Sequence, residues 1–373
     1  MLLASREIRR APVRFGLLAG AIGLLMFLVF FQQTLLSSLL NSFTGALQNQ
    51  SGTVLVYSSE ARDNLEASVL SPDIVGKVAS VPGVGQAAPL GAATMTVLAK
   101  GQQIDVAMIG AEPGKPGQPT KLTSGRPATA PGQGVASSET KSFAIGDTVT
   151  TAAGGSPVTI VGLTAQSQFN VQPTLFVTFD TFTSMRKAAN PNAKMVWPSA
   201  VAVIPATGVR PKALADSIDA AVPQVTALTR TEAVAGAPGV SSTQGSFAVL
   251  LTLAVVVVAL VTGFFFLILT VQKTAALTLL RAVGAPASYL VRGLLQQVVL
   301  VLGVALLVAV GLLVTATAAV NTGLPLTIDP RALAISTVVV VGLSLLGVAF
   351  AVWRVLRIDP FQAVGRPGLG GIE

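Results

Sequence analysis

The sequence predicts an integral membrane α-helical protein with four transmembrane helices and an α+β extracytoplasmic domain inserted between helices 1 and 2. Three observations carry that prediction. Four apolar runs without a charged residue are each long enough to cross a hydrocarbon core of about 30 Å, which takes about 20 residues of helix. About 200 residues of ordinary domain composition separate the first run from the second. The basic excess sits beside the apolar runs: residues 41–245 hold 13 Lys/Arg and 12 Asp/Glu, so nearly all of the net +8 lies elsewhere. Overall, 51% of residues are hydrophobic and 11% charged, against about 25% charged in soluble domains.

In chain order, residues 1–14 form a cytoplasmic amphipathic lead-in, and 15–36 transmembrane helix 1. Residues 41–245 form the extracytoplasmic domain, a split βαβ part with a β-rich part inserted at about 112–190. Transmembrane helix 2 is 247–271, a cytoplasmic loop 273–292, helix 3 294–320, helix 4 332–353 and a cytoplasmic tail 354–373. A central Arg or Asp costs about 2.5–3.5 kcal/mol on insertion, and none of the four runs contains one. The first run is too long for a cleaved signal peptide and no A-x-A site follows it, so a retained anchor is expected.

Orientation follows from the basic flanks. Arg6, Arg9, Arg10 and Arg14 precede helix 1, Lys273, Arg281 and Arg292 lie between helices 2 and 3, and Arg354, Arg357 and Arg366 follow helix 4. The positive-inside rule places these clusters, and both termini, in the cytoplasm. Arg6, Arg9, Arg10, Arg14, Lys273, Arg292, Arg354 and Arg357 read as anchors at the bilayer surface. Basic residues grouped this way do not make the soluble basic face that nucleic acid requires.

Within the large domain, strand-like runs occur at Thr53–Tyr57, Thr94–Ala99, Ile104–Ile109, Thr148–Thr151, Val158–Val161, Leu175–Phe179 and Val201–Ile204. Gly101 and Gly154-Gly155 suit hairpin turns. Pro72–Val81 and Pro211–Val222 have helical apolar spacing, with Ser71 in N-cap position for the first. The first ends in Val81-Pro82-Gly83-Val84 and the second in Val222-Pro223-Gln224-Val225. Strand-like runs flank both, a repeat of strand–helix–strand that suits a split βαβ sandwich.

The chain has no Cys and no His. Disulfides, Cys or His metal sites and Ser-His-Asp triads are therefore excluded within it. No phosphate-cradling G-x-x-x-x-G-K-[ST] occurs, so nucleotide hydrolysis would belong to another chain. No close acidic pair suggests a carboxylate dyad, and no enzymatic activity of its own is expected.

The stretch Lys273–Arg292 reads as a short helix to Val283, stopped at Gly284 and Pro286. On physical grounds it serves equally as an ordinary connection between spans. Leu280-Arg281-Ala282-Val283-Gly284-Ala285, just after a span, resembles the signature loop of FtsX-like permeases, the membrane subunits of MacB-type ABC systems. Arg6-Glu7-Ile8-Arg9-Arg10, the one-then-three order of spans, Val81-Pro82-Gly83-Val84, Gly146-Asp147-Thr148-Val149 with Val161-Gly162-Leu163, and Asp359-Pro360-Phe361-Gln362-Ala363-Val364 resemble further features of that family. The compact outer domain and Gly110-Ala111-Glu112-Pro113-Gly114 resemble its DevC and HrtB branch. Val364-Gly365 departs from the Leu-Arg that closes the family motif.

The resemblance implies a permease subunit in a bacterial cell membrane, a homodimer joined to separate P-loop ATPase subunits. These would bind the ATP, leaving no cofactor in this chain. Thr278, Leu279, Leu280, Arg281, Ala282, Val283 and Gly284 would dock into the ATPase, with the apolar residues making the contact and Arg281 orienting it. The cargo would be hydrophobic or amphipathic: a lipid, a peptide, a drug or haem. With His and Cys absent, a haem would need Tyr57, Tyr289, Met26 (a residue type that in a membrane helix usually packs), an Asp or a Glu as ligand, or a looser apolar cavity. The alternative is an FtsX-like relay that transports nothing and activates an external partner such as a cell-wall hydrolase. Phe169, Phe176, Phe179, Phe182 and Trp197 would have to supply its protein-binding face, unless they form core. Gly303, Ala305, Ala309 and Gly311 in the third span suit close helix approach, between subunits or within one.

Overall fold

The computed structural model describes residues 12–139, 142–152, 154–192, 195–272, 286–319, 326 and 328–356. Breaks at Leu36/Ser37 and Gly245/Ser246 divide them into two compact units.

Four of the described helices are long and apolar enough to span a bilayer: α1 (Pro12–Asn49), α6 (Val240–Gln272), α7 (Ala287–Ala319) and α8 (Pro330–Leu356). They build the membrane unit, except that Ser37–Asn49 of α1 and Val240–Gly245 of α6 belong to the second unit. Each outruns its apolar run, α1 most of all, with 38 residues. At 1.5 Å per residue that is about 57 Å, nearly twice the hydrocarbon thickness. The extension persists because Leu39, Leu40, Phe43, Ala46 and Leu47 keep helical apolar spacing after the run has ended. Ile22, Met26, Phe30, Val298, Ala305, Ala309 and Leu313 lie in the shared core. Thr34 and Thr270 return their hydroxyls to the carbonyls of Phe30 and Phe266 at 2.9 and 2.7 Å, so neither asks the apolar surroundings for a partner.

The second unit holds a ten-stranded sheet. Its strands are β1 (Val54–Ser58), β2 (Val84–Ala99), β3 (Gln102–Ala111), β4 (Leu122–Gly125), β5 (Gln133–Ser137), β6 (Thr148–Thr151), β7 (Val158–Thr164), β8 (Thr174–Thr178), β9 (Ala200–Pro205) and β10 (Val225–Thr229). Their order is β10-β1-β9-β2-β3-β8-β5-β7-β4, with β6 paired to β2 and β7. Helices α2 (Pro72–Ala79), α3 (Phe179–Ala189), α4 (Pro211–Ala221) and α5 (Arg230–Gly236) complete the unit.

Strand β9 lies antiparallel between β1 and β2, and β1 lies antiparallel between β9 and β10. The units β1-α2-β2 and β9-α4-β10 are thus two split βαβ motifs interleaved in one sheet. Strand alternation explains the burial on both faces. Val54 and Val56 point to the layer of α2 and α4, against Ile74, Val78, Leu214 and Ile218. Leu55 and Tyr57 point the other way, against Ala46 and Leu47 of α1 and Ala233 of α5. Gly83 takes φ +95°, the left-handed value a type II turn needs after Pro82.

The hairpin expected at Gly101 is present, with Lys100 and Gly101 both left-handed as a two-residue I′ turn requires. Ser71 corrects the sequence reading in part. It occupies the N-cap position of α2 but makes no capping bond; its hydroxyl turns to the Asp73 carboxylate instead. Within the middle region read as β-rich, Phe179–Ala189 is a helix. Thr178 caps it, accepting from the Thr181 N–H, and Phe182 and Met185 enter the core beneath. Phe182 sits over Gly91 and Gly110, which face each other across β2 and β3. A Cβ at Gly91 would come within 2.3 Å of the Phe182 ring, and one at Gly110 within 2.4 Å of the Phe182 Cβ. Glycine at 110 thus has a packing cause, whereas Gly114 has open space around it and a left-handed φ of +71°.

Candidate functional site

Of the residues expected to dock an ATPase, Thr278, Leu279, Leu280, Arg281, Ala282, Val283 and Gly284 lie outside the described residues, as do Arg6, Arg9, Arg10, Lys273 and Arg357. Arg292 is exposed on α7, and Arg354 falls within α8. Arg14 gains a specific partner. Its guanidinium Nη2 donates to Oε1 of Gln272, the last residue of α6. The start of α1 and the end of α6 therefore meet at one end of the bundle, immediately before Lys273. Sequence reasoning gave Arg14 to the lipid surface; a glutamine at the end of an apolar helix was the available signal for the pairing.

Small residues set where the helices touch. A Cβ on Gly23 of α1 would lie 2.9 Å from the Ala305 carbonyl oxygen of α7. On Gly347 of α8 it would lie 3.2 Å from the Ala259 carbonyl oxygen of α6. The third-span residues divide: Ala305 and Ala309 are buried against the neighbouring helices, while Gly303 and Gly311 have open space where a Cβ would stand.

Toward the opposite end from Arg14, α1, α6 and α8 enclose a groove of about 280 Å³. Val29, Leu251, Val255, Val256, Val339 and Leu343 form its apolar walls, with Gln33, Thr252 and Ser336 as polar points. Thr252 spends its hydroxyl hydrogen on the Ala248 carbonyl at 2.7 Å. Among the described residues no charged side chain lines the groove, so it suits an apolar body with a hydrogen-bonding edge. Sequence reasoning missed this set, because a lone Gln, Thr or Ser near the end of an apolar run has no pattern.

The residues weighed as haem ligands do not converge there. Met26 is buried in the bundle core. Tyr57 is fully buried in the sheet, and burial first, then the nearby Asp63 charge, pushes its phenol above the usual tyrosine range. Tyr289 lies in α7. The aromatics weighed as a protein-binding face are mostly core: Phe169, Phe176 and Phe182 are buried and Phe179 partly so, leaving Trp197 at 44% exposure.

Two family models match the chain: the MacB-like periplasmic core domain over residues 16–221 and the FtsX-like permease C-terminal domain over 248–360. Among curated proteins, one from Staphylococcus epidermidis bearing the name hemin transport system permease protein HrtB is 30% identical over 112 residues, 30% of this chain and 31% of that one. A namesake from Staphylococcus haemolyticus is 27% identical over 110 residues, with the same coverage. The match thus spans about a third of these relatives' length. Among solved structures, the periplasmic region of MacB from Actinobacillus actinomycetemcomitans aligns at TM-score 0.36 and 12% identity, covering 50% of this chain and 91% of that one. The extracellular domain of the ABC-type transporter YknZ from Gram-positive bacteria aligns at TM-score 0.32 and 17% identity, covering 48% and 100%.

Proposed function

This chain belongs to the family of FtsX-like permeases with a MacB-like periplasmic core domain, and from that premise we propose that it is an exporter subunit which turns ATP hydrolysis by a separate P-loop ATPase into outward movement of a hydrophobic or amphipathic molecule. It is an ABC-type permease and a bacterial membrane protein. The observation that carries the proposal is the order of the two matched domains, 16–221 and 248–360, on a chain with four spanning helices.

Two copies of the chain pair with two ATPase subunits, and both termini lie in the cytoplasm. Thr278–Gly284 docks into the ATPase, with Leu279, Leu280 and Val283 as the apolar contact and Arg281 as its orienting charge. When ATP draws the ATPase subunits together, α1 and α6 carry the displacement outward as stiff levers. Such coupling requires two arrangements with different affinity for the nucleotide-bound partner. The groove between α1, α6 and α8 offers the cargo an uncharged apolar wall with Gln33, Thr252 and Ser336 at hand. Hemin is the first cargo to test, because it is named for the relatives.

The test uses the chain and its ATPase subunit reconstituted in vesicles. ATP-dependent hemin movement is expected from the native pair. Leu279→Asp with Leu280→Asp is expected to abolish movement while ATP hydrolysis and membrane insertion persist. Unchanged transport in that variant overturns the docking assignment. An external partner switched on by ATP, with no cargo moved from vesicles loaded with hemin, lipid or peptide, would favour the relay instead.

A further inference from the structure

We propose that Asn49 is a positioning residue: it fastens the last turn of α1 to the inserted half of the sheet domain, while Arg230 fastens the same point to the segment leading into α6. This rests on the reading above that α1 carries a nucleotide-driven displacement, and it names where that displacement is handed on.

The Asn49 side chain sits among hydroxyls. Its Nδ2 lies 2.7 Å from Thr164 Oγ1 and 2.6 Å from Ser167 Oγ. The Thr164 hydroxyl donates to the Lys121 carbonyl at 2.6 Å and the Ser167 hydroxyl to the Ala165 carbonyl at 3.0 Å. Both hydroxyls thereby spend their hydrogens and receive from Asn49, which fixes the amide nitrogen on their side. The amide oxygen then faces Thr120, whose hydroxyl lies 3.0 Å away. The Thr120 N–H also reaches the Asn49 carbonyl, at 2.7 Å. Asn49, Thr164 and Ser167 are all buried. Thr120 and Lys121 lead into β4, the last strand of the sheet order, and Thr164 ends its neighbour β7, so one amide ties the helix end to that side of the sheet.

The loop after β7 grips α1 over two further turns. Gln168 accepts the Ser42 hydroxyl at 2.7 Å through its side chain and the Ala46 N–H at 2.9 Å through its carbonyl. The Val171 N–H reaches the Ser42 carbonyl at 2.9 Å. A Cβ at Gly45 would stand 2.6 Å from the Gln166 carbonyl, so the loop lies against bare backbone. The loop holds Gln166, Asn170 and Val171 at positive φ. For the β-branched Val171 that conformation is costly, on the order of 1–3 kcal/mol, and it persists where surroundings enforce it.

The second attachment is separate. Arg230 Nη1 donates to the Gln50 carbonyl at 3.0 Å, and its N–H to the Thr53 carbonyl at 2.9 Å. A cation at the exposed carbonyls of a helix C-terminus is favourable. Arg230 opens α5, and four residues after α5 the helix α6 begins at Val240. One helix end is therefore held by two side chains that lead to two parts of the domain.

The test follows each branch by itself in the full-length chain bound to its ATPase subunit. The natural chain has no cysteine, so a reporter at Lys187→Cys on α3 or at Ser217→Cys on α4 gives a single labelled site. In the native background both reporters are expected to change when ATP is added. Asn49→Ala should remove the change at 187 and keep it at 217; Arg230→Ala should do the reverse, both with the thermal midpoint recorded. Thr164→Val breaks the same link from its partner's side and stands in if Asn49→Ala does not fold. A merely structural Asn49 would lower stability and leave both responses in proportion. Responses at 187 that survive both Asn49→Ala and Thr164→Val overturn the proposal. Native chains silent at both sites overturn the lever reading, and this proposal with it.

Discussion

Leu307 and Val338 in the membrane helices are 75% and 72% exposed, whereas Leu55 and Phe176 in the sheet are at or near zero. All four are large apolar side chains, and the difference lies in what covers them. The sheet domain covers its apolar residues with its own chain: β1 buries Val54 and Val56 under α2 and α4, and Leu55 and Tyr57 under the end of α1 and α5. The membrane helices leave one side to lipid or to another chain, because lipid tails are as apolar as leucine and exact no penalty there. A truncation should therefore be felt very differently in the two regions.

The largest contrast is expected at Phe182. It is buried on the glycine seat of Gly91 and Gly110, and Phe182→Ala should cost about 3–5 kcal/mol in a denaturation series. Leu307→Ala, measured the same way in a bilayer mimic, should stay within about 0.5 kcal/mol. A core-sized loss at Leu307 would break the comparison and mean that protein covers that face.

A smaller effect is expected at the helix crossings. Gly23→Val should cost about 1–3 kcal/mol by overpacking, since the obstructing Ala305 carbonyl is backbone and yields little. Gly303→Val and Gly311→Val meet open space and should leave thermal stability unchanged. If either instead shifts the oligomeric mass in nanodiscs, a second copy occupies that side of α7.

This contrast also explains what could be read from the residues. The four spans were legible because absence of charge over some 20 residues has few other causes. Helices α2 and α4 were legible because Pro72 and Pro211 mark their starts and apolar spacing marks one face. Helix α3 was not: Phe179, Thr181, Phe182 and Thr183 favour strands, and only the Thr178 cap with tertiary burial makes them helical. The continuation of α1 past Leu36 was hidden because hydropathy falls while helical spacing continues. In the third span, composition alone gave no reason why the alanines turn inward and the glycines outward. Nor could the groove be read, since its ten lining residues come from three separate helices.

Next in size is Tyr57. Its hydroxyl is buried and without a hydrogen-bond partner among the described residues. Tyr57→Phe should therefore not destabilise, and a gain of up to about 1 kcal/mol is expected from relieving an unmet donor. The fold raises the phenol pKa, chiefly by burial. As pH climbs past about 10, the unfolded tyrosine ionises before the folded one, so its contribution is present below that value and lost above it. Tyr57→Phe should flatten that alkaline loss in a series of thermal midpoints.

The smallest expected effect is at Glu232, and it tests whether acid sensitivity belongs to the sheet domain. Helices α1, α6, α7 and α8 contain no Asp or Glu. Glu232 Oε2 accepts the Thr229 N–H at 3.0 Å and Oε1 lies 3.0 Å from Lys212 Nζ. The Thr229 backbone N–H, then Lys212, hold its carboxyl below the usual range. With the folded value depressed, this contribution is present above about pH 4.3, the ordinary Glu value, and is lost as pH falls through the folded one. The neighbouring Asp219 runs the other way. Burial raises its pKa despite the Ala227 N–H, so its contribution is greatest in acid and declines as pH rises through its ordinary value. Glu232→Gln should remove a loss on acidification, and Asp219→Asn should remove an opposing gain. The Lys212 part lies in solvent and should fade with added salt, while the bond to Thr229 should not. A Glu232→Gln chain whose thermal midpoint falls in acid as steeply as the native one would place the acid sensitivity outside this capping box.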